Sequence, residues 1–269
     1  MIRSSFWLLL SLTVVPTIHA APTTERILPL LDKHWSEIRT AHFNIYSCGQ
    51  SQEVYRLATR LEQFRETYTS LAGTNAAASP PITVIAFPDQ PSMKPFMPAD
   101  LGDTANLAGF FKRGSDENLI VVTLHQQNSQ MLDLEVIFHE YTHLLLRHNA
   151  QIWPLWLTEG MAEMYSTFRT TGRNASIGLP LMRHRELMAR EPLMPLPELF
   201  AVAHGSPRYN ERDMQGLFYA ESWLLTHFMM AGDNPNYRAR FGQFTTLAPQ
   251  PFSNGTAVRA ISLQASFNF

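Results

Sequence analysis

Leu134-Glu135-Val136-Ile137-Phe138-His139-Glu140-Tyr141-Thr142-His143-Leu144-Leu145-Leu146 is the stretch on which the reading of this chain turns. Leu134, Ile137, Phe138, Tyr141, Leu144 and Leu145 recur at spacings of three and four, the period of a helix with one apolar side. His139 and His143 are four apart, so on such a helix they share a face one turn apart. Two imidazoles so placed can reach one divalent ion. Glu140 sits one residue along and points beside that ion, not at it. That suits a base taking a proton from an activated water. Upstream, Ser129 is a plausible N-cap, and Asp133 and Glu135 favour the positive end of the helix dipole. Arg147 and His148 suit the last turn.

The motif His139-Glu140-Tyr141-Thr142-His143 has only three fixed letters, so it does not fix the chemistry alone. Its apolar setting adds weight, because two imidazoles and a carboxylate are costly to bury without a partner. A catalytic zinc takes three protein ligands and keeps one position for water. The third ligand is sought downstream, in Pro154-Leu155-Trp156-Leu157-Thr158-Glu159-Gly160-Met161-Ala162-Glu163. Pro154 opens a second helix, read as Leu157 to Phe168. Glu159 lies near its start, and Gly160 keeps the space beside it free. Glu163 shares a helical face with Glu159 and can accept a hydrogen bond from the outer nitrogen of a liganding His, fixing its tautomer. The competing view makes Glu159 and Glu163 a solvated face; Trp156, Leu157, Met161 and Met164 around them argue for burial.

Working outward, Ala41 to Ser47 reads as a strand and Ser51 to Leu71 as an amphipathic helix, with Val54, Leu57, Leu61, Phe64 and Tyr68 on one stripe. Gly73 and Asn75 end that helix. Ile82 to Phe87 is a β-rich run bounded by prolines. Leu107 to Lys112 and Leu119 to Leu124 read as two strands joined by a turn at Gly114-Ser115-Asp116-Glu117. Beyond Leu179 the chain is read as loop and helix. Its clearest helix is Gln215 to Met230, with Leu217, Phe218, Trp223, Leu224 and Phe228 on or near one face. No internal repeat of fixed period is present. The class is α+β: a small mixed or antiparallel sheet packed on the helix of His139 and His143, then a mainly helical C-terminal part. The expected division is 21–128 for the α+β part and 129–269 for the metal-bearing and C-terminal helices.

The 269 residues are 45% hydrophobic and 16% charged, enough to bury a core. A formal net charge of −2 gives no case for a nucleic-acid partner or an anionic membrane surface. Arg3, the apolar run Phe6 to Val15 and Thr17-Ile18-His19-Ala20 read as a secretory signal peptide cleaved after Ala20, residues 1–20 in all. The run is too short to span a bilayer. The expectation is an exported protein, periplasmic or extracellular, with no membrane span after cleavage. Cys48, the only cysteine, has no internal disulfide partner and reads as a packed residue.

The pairing of His139-Glu140-Tyr141-Thr142-His143 with Pro154 to Glu163 resembles the gluzincin zinc metallopeptidases. More closely, it resembles secreted bacterial proteins of the peptidase MA-like superfamily. Thr40-Ala41-His42-Phe43-Asn44-Ile45-Tyr46-Ser47 and Tyr219-Ala220-Glu221-Ser222-Trp223 are similar to phrases of the same group, so the resemblance covers roughly residues 35 to 240. It implies a zincin-like fold and one zinc held by His139, His143 and Glu159. It also implies Glu140 as base, Glu163 behind a liganding imidazole, and an antiparallel sheet whose edge strand binds substrate backbone. Leu107–Lys112 and Leu119–Leu124 are the candidates for that edge. Tyr219 is the choice for an oxyanion donor, with Tyr209 as a rival and His204 and Arg208 as further residues able to face the cleft. The Gly-x-Met-Glu-Asn phrase of aminopeptidase relatives is missing, which favours an endopeptidase acting on a peptide or protein. Relatives often continue into helical repeats, so the C-terminal part is expected to be shortened.

His125, His148 and His184 have no ligand-like spacing and are read as surface or packing residues. Met161, Met164, Met229 and Met230 are read as core filler. Two other functions use the same residues. One is a non-catalytic envelope binding or assembly module that keeps zinc for structure; the other is a zinc hydrolase acting on peptidoglycan cross-links or another amide.

Overall fold

A computed structural model describes residues 33–72, 81–97, 109–113, 118–124, 134–148, 153–171, 174–206, 209 and 212–247. Five strands form one sheet: β1 (Ser36–Arg39), β2 (Phe43–Ser47), β3 (Ile82–Phe87), β4 (Gly109–Arg113) and β5 (Asn118–Thr123). Their order across it is β1-β2-β3-β5-β4. The β1/β2 and β4/β5 pairs are antiparallel, whereas β2/β3 and β3/β5 are parallel. The sheet is therefore mixed, one of the two forms expected, and not the antiparallel sheet that the resemblance implies. The reason lies in the connections. Helix α1 (Ser51–Ala72) links β2 to β3, and a crossover of that length brings the chain back to start β3 beside the start of β2.

The α1 stripe is as the periodicity demands. Val54, Leu57, Leu61, Phe64 and Tyr68 are all buried, packed on Phe43 and Ile45 of β2, Val84 of β3 and Ile120 and Val122 of β5. After the short α2 (Gln90–Met93) and the β4–β5 pair come α3 (Glu135–His148) and α4 (Leu155–Ser166). Helix α3 presents Leu134, Ile137, Phe138, Tyr141, Leu144 and Leu145 to the same core. Phe64 is the hub of the join. It stacks on Phe138 with ring centroids 4.4 Å apart and meets Phe168 edge-on at 5.5 Å. Buried Arg65 donates to the Tyr141 hydroxyl at 2.9 Å.

Strands β6 (Arg169–Thr171) and β7 (Asn174–Ser176) form a small exposed antiparallel pair that the sequence reading did not anticipate. The chain continues through α5 (Met182–Arg190), α6 (Leu196–Ala201), α7 (Arg212–Ala231) and α8 (Pro235–Leu247). Trp156 and Leu157 of α4, Leu199 of α6, Phe218 and Met229 of α7 and Phe241 and Phe244 of α8 make a second apolar cluster. Leu217 and Trp223 are buried as expected, but Leu224 and Phe228 are exposed. The buried face of α7 runs instead through Ala220, Ser222 and Thr226. Met161, Met164, Met229 and Met230 pack in the two clusters. Cys48 is half-buried in a third, and burial pushes its thiol pKa up, as suits a packing residue.

Helix α4 begins at Leu155, two residues before the expected start, with Pro154 in extended conformation as its N-cap. Ser129, Asp133, His125, Arg208 and the turn Gly114 to Glu117 lie outside the described residues, as do Gly73, Asn75 and the signal segment 1–20. Among the described residues no helix is long and apolar enough to cross a membrane.

Candidate metal centre

The site forms where α3 and α4 cross. The apolar side of α3 points into the core, which leaves His139 and His143 at its margin with side chains 15% and 14% exposed. Helix α4 brings Glu159 and Glu163 against them, one turn apart and both buried. The solvated-face reading of these carboxylates is therefore excluded. Helix α7 covers α4 at very short range because residue 160 is glycine. A Cβ there would lie 2.1 Å from Thr226 Oγ1 and 2.3 Å from the Ser222 carbonyl oxygen.

Three atoms converge. His139 Nε2 is 3.2 Å from His143 Nε2 and 3.4 Å from Glu159 Oε2, and His143 Nε2 is 3.2 Å from Glu159 Oε2. Ligand atoms around a tetrahedral zinc, with bonds of about 2.0–2.1 Å, stand about 3.3–3.4 Å apart. The triangle has that size. Glu159 Oε2 is buried and makes no hydrogen bond of good geometry. Its close neighbours are the two imidazole nitrogens, and a cation can take the place of the protons that otherwise bridge these three atoms. These three residues could therefore hold a metal ion.

Behind the triangle, Glu163 Oε1 lies 2.9 Å from His139 Nδ1. That bond assigns the Nδ1 proton to Glu163 and turns the Nε2 lone pair toward the centre. Without an ion, protons hold the cluster together. Burial opposes a charged His139, but the carboxylates of Glu159 and Glu163 raise its pKa to about 10. Burial likewise opposes the Glu159 carboxylate, and bonds to His139 and His143 bring it down to about 2. Glu163 is held well below the usual carboxylate range, against burial, by His139, His184 and Arg183.

Glu140, next to His139 in the chain, is half-buried, and its charge is felt at Tyr209. The Tyr209 hydroxyl donates to Glu159 Oε1 at 3.5 Å and lies 3.4 Å from the Tyr219 hydroxyl. The Tyr219 ring stands 5.9 Å from the His139 ring. Both tyrosines thus reach the site, and the choice of Tyr219 over Tyr209 becomes a pair. Burial and the charges of Glu159 and Glu140 raise the Tyr209 pKa. His204 is exposed and meets the Tyr209 ring edge-on at 5.3 Å.

No protein-family model matches the chain, and no curated protein matches it. The site therefore rests on its own geometry. Two of its residues escaped the sequence reading. His184 was expected to be a surface or packing residue, yet it is buried with Nε2 3.2 Å from Glu163 Oε2. Arg183, beside it on α5, donates to the same oxygen at 2.8 Å. The only sequence signal was the pairing of a cation with a histidine in an otherwise charged helix. The side chain of His148 is outside the described set.

A cavity of about 550 Å³ opens beside His139, walled in part by Glu163, Arg183, Leu187, Gly216 and Tyr219. Its size is that of a small-ligand or side-chain pocket. The edge strand β4 packs against α3, and at Gly109 a Cβ would lie 2.5 Å from the Val121 carbonyl oxygen of β5 and 3.3 Å from Ile137 Cδ1 of α3. The free edge of β4 has no strand partner among the described residues, whereas β5 is paired on both sides. Of the two candidate edge strands, β5 is ruled out and β4 remains.

Proposed function

We propose that the chain is an exported zinc endopeptidase of gluzincin type with a zincin-like fold, holding one zinc per chain on His139, His143 and Glu159. The observation that carries this reading is the triangle of two imidazole nitrogens and one buried carboxylate oxygen, with sides of 3.2, 3.2 and 3.4 Å. The donor set of two nitrogens and one oxygen suits zinc. Among the described residues the cluster supplies three ligand atoms, the number found where a catalytic site keeps a position for water. Zinc in this place supplies Lewis acidity toward a scissile carbonyl and lowers the pKa of water.

The chain's own residues do the rest. Glu140 takes the proton of the attacking water and delivers it to the leaving amine. Tyr219 and Tyr209, with hydroxyls 3.4 Å apart, offer donors to the developing oxyanion. The edge of β4 offers its main-chain groups to the backbone of an extended peptide. Substrates are peptides or proteins; no feature of the charge balance suits nucleic acid. Export rests on the leader-like residues 1–20.

The test pairs metal analysis with proteolysis of a denatured protein. The parent is expected to hold about one zinc and to cleave. Glu140→Ala is expected to keep the zinc and lose about 10²–10⁴-fold in kcat/KM, the usual share of a general base. A variant that cleaves as fast as the parent removes Glu140 from the mechanism, and a parent without zinc removes the reading itself.

A further inference from the structure

Glu163 has more partners than the orientation of one imidazole needs. Its Oε1 faces His139 Nδ1 at 2.9 Å, while its Oε2 accepts from Arg183 Nη2 at 2.8 Å and lies 3.2 Å from His184 Nε2. The second arm of Arg183, Nη1, pairs with Glu135 Oε1. Glu135 stands one turn before His139 on α3. One guanidinium on α5 thus ties the helix that carries both histidines to the helix that carries both carboxylates. His184 is 2% exposed, and its ring lies 5.9 Å from Trp223 of α7.

The burial of His184 needs a reason. Its Nδ1 is buried without a hydrogen-bond partner, a cost that an apolar residue in the same place would not carry. The return is the Nε2–H directed at Glu163. The terminal torsion of a glutamate is broad, so a carboxylate held at one oxygen alone swings. Arg183 and His184 hold the second oxygen from two directions, so both oxygens of Glu163 are fixed. We infer that Arg183 and His184 are positioning residues of the metal centre: through Glu163 they set the tautomer and the angle of the His139 ring. This inference rests on the metal-centre reading above.

Zinc is titrated into the metal-stripped protein against a chromophoric chelator, for the parent, Arg183→Met and His184→Phe, each in the Glu163 and the Glu163→Gln background. With Glu163 present, each single change is expected to weaken zinc binding by about 10–100-fold, the range for residues that orient a metal ligand from behind. It is also expected to move the absorption bands of the cobalt-loaded protein. In the Glu163→Gln background the same changes are expected to add less than about threefold, because their route to His139 is gone. Should the apolar variants fail to fold, Arg183→Lys and His184→Gln take their place. The lysine keeps the charge but lacks the two separate planar arms, and is expected to give an intermediate loss. Weakening of equal size in both backgrounds, or none in either, overturns the inference while leaving the zinc site standing. A parent that binds no zinc overturns both.

Discussion

Two layers pack against the crossed helices α3 and α4, and they differ in the polar groups they bury. On the α1 side the contacts are aromatic: Phe64, Phe138, Tyr141, Tyr165 and Phe168 meet ring to ring, all essentially solvent-free. On the α5 and α7 side the buried set includes Glu163, His184, Glu221, Ser222 and Thr226. Some of these have full partners, as Glu221 has in the Met194 backbone N–H at 2.7 Å. Others, such as Ser222 Oγ and Thr226 Oγ1, have no hydrogen-bond partner. The first layer removes apolar surface from water and stabilises the fold. The second gives up part of that gain, because buried polar atoms without full partners are costly. A chain carries such a layer where geometry around a charged centre is worth more than stability. The triangle of His139, His143 and Glu159 sits on the seam between the two.

The largest expected effect comes from breaking the polar layer at its centre. Glu159→Ala removes one corner of the triangle. Zinc affinity is expected to fall by more than about 100-fold, beyond the range for residues that only orient a ligand. Chelator competition at neutral pH reads this directly. Equal affinity in parent and variant would show that Glu159 lies outside the coordination of the ion.

The aromatic layer should respond in the opposite way. Phe64→Ala empties the hub between α1, α3 and Phe168. The cost is expected to be about 3–5 kcal/mol of folding stability, the range for deleting a buried phenylalanine. Zinc affinity of the molecules that remain folded should hardly change. Urea unfolding of the zinc-free protein measures the first quantity and chelator competition the second. If zinc affinity falls in proportion to stability, the two layers are not separable.

A milder change probes the seam where α4 meets α7. Gly160→Ala places a methyl group within 2.3 Å of both Thr226 Oγ1 and the Ser222 carbonyl oxygen, so α7 must move. The expected cost is about 1–3 kcal/mol, the range for overpacking. Because Tyr219 rides on α7, kcat should fall more than zinc affinity. A variant with parental stability would mean that the two helices separate freely.

The same division explains what was legible in the sequence. Elements that bury one face announce their period. The α1 stripe, β2, β3, the β4–β5 pair and the apolar side of α3 could all be read in that way. The pairs His139/His143 and Glu159/Glu163 were legible because each lies one turn apart on its own helix. The parallel β2/β3 pair was legible in principle too, since strand–helix–strand order over Phe43 to Phe87 suits a crossover. The rest had no local signal. Strand β1 is four residues, Ser36-Glu37-Ile38-Arg39, with no apolar run, and it exists by pairing with β2. Arg183 and His184 sit on a charged nine-residue helix, and only the tertiary path after β7 brings them onto Glu163. Leu224 and Phe228 misled because helical spacing does not say which face is covered; the close approach at Gly160 buries Ser222 and Thr226 instead.

The gentlest perturbation is the proton, and it sets the two occupants of the triangle against each other. In the zinc-free protein His139 has its pKa raised from 6.5 to about 10, so its contribution is complete below pH 6.5 and is lost as the pH rises toward 10. Glu159 has its pKa lowered from 4.5 to about 2, so its contribution is complete above pH 4.5 and is lost as the pH falls toward 2. Glu163, also lowered, adds to the acid limb. The zinc-free protein is therefore expected to gain most from this cluster between about pH 4.5 and 6.5. Zinc needs the Nε2 lone pair that the proton occupies, so its apparent affinity should rise from pH 6.5 toward 10, and saturating zinc should lift the alkaline limb. Melting temperatures from pH 4 to 10, with and without zinc, separate the cases. A zinc-free protein whose stability is flat from pH 6.5 to 10 would mean that no imidazolium is held between the two carboxylates, and the polar layer would lose its charged centre.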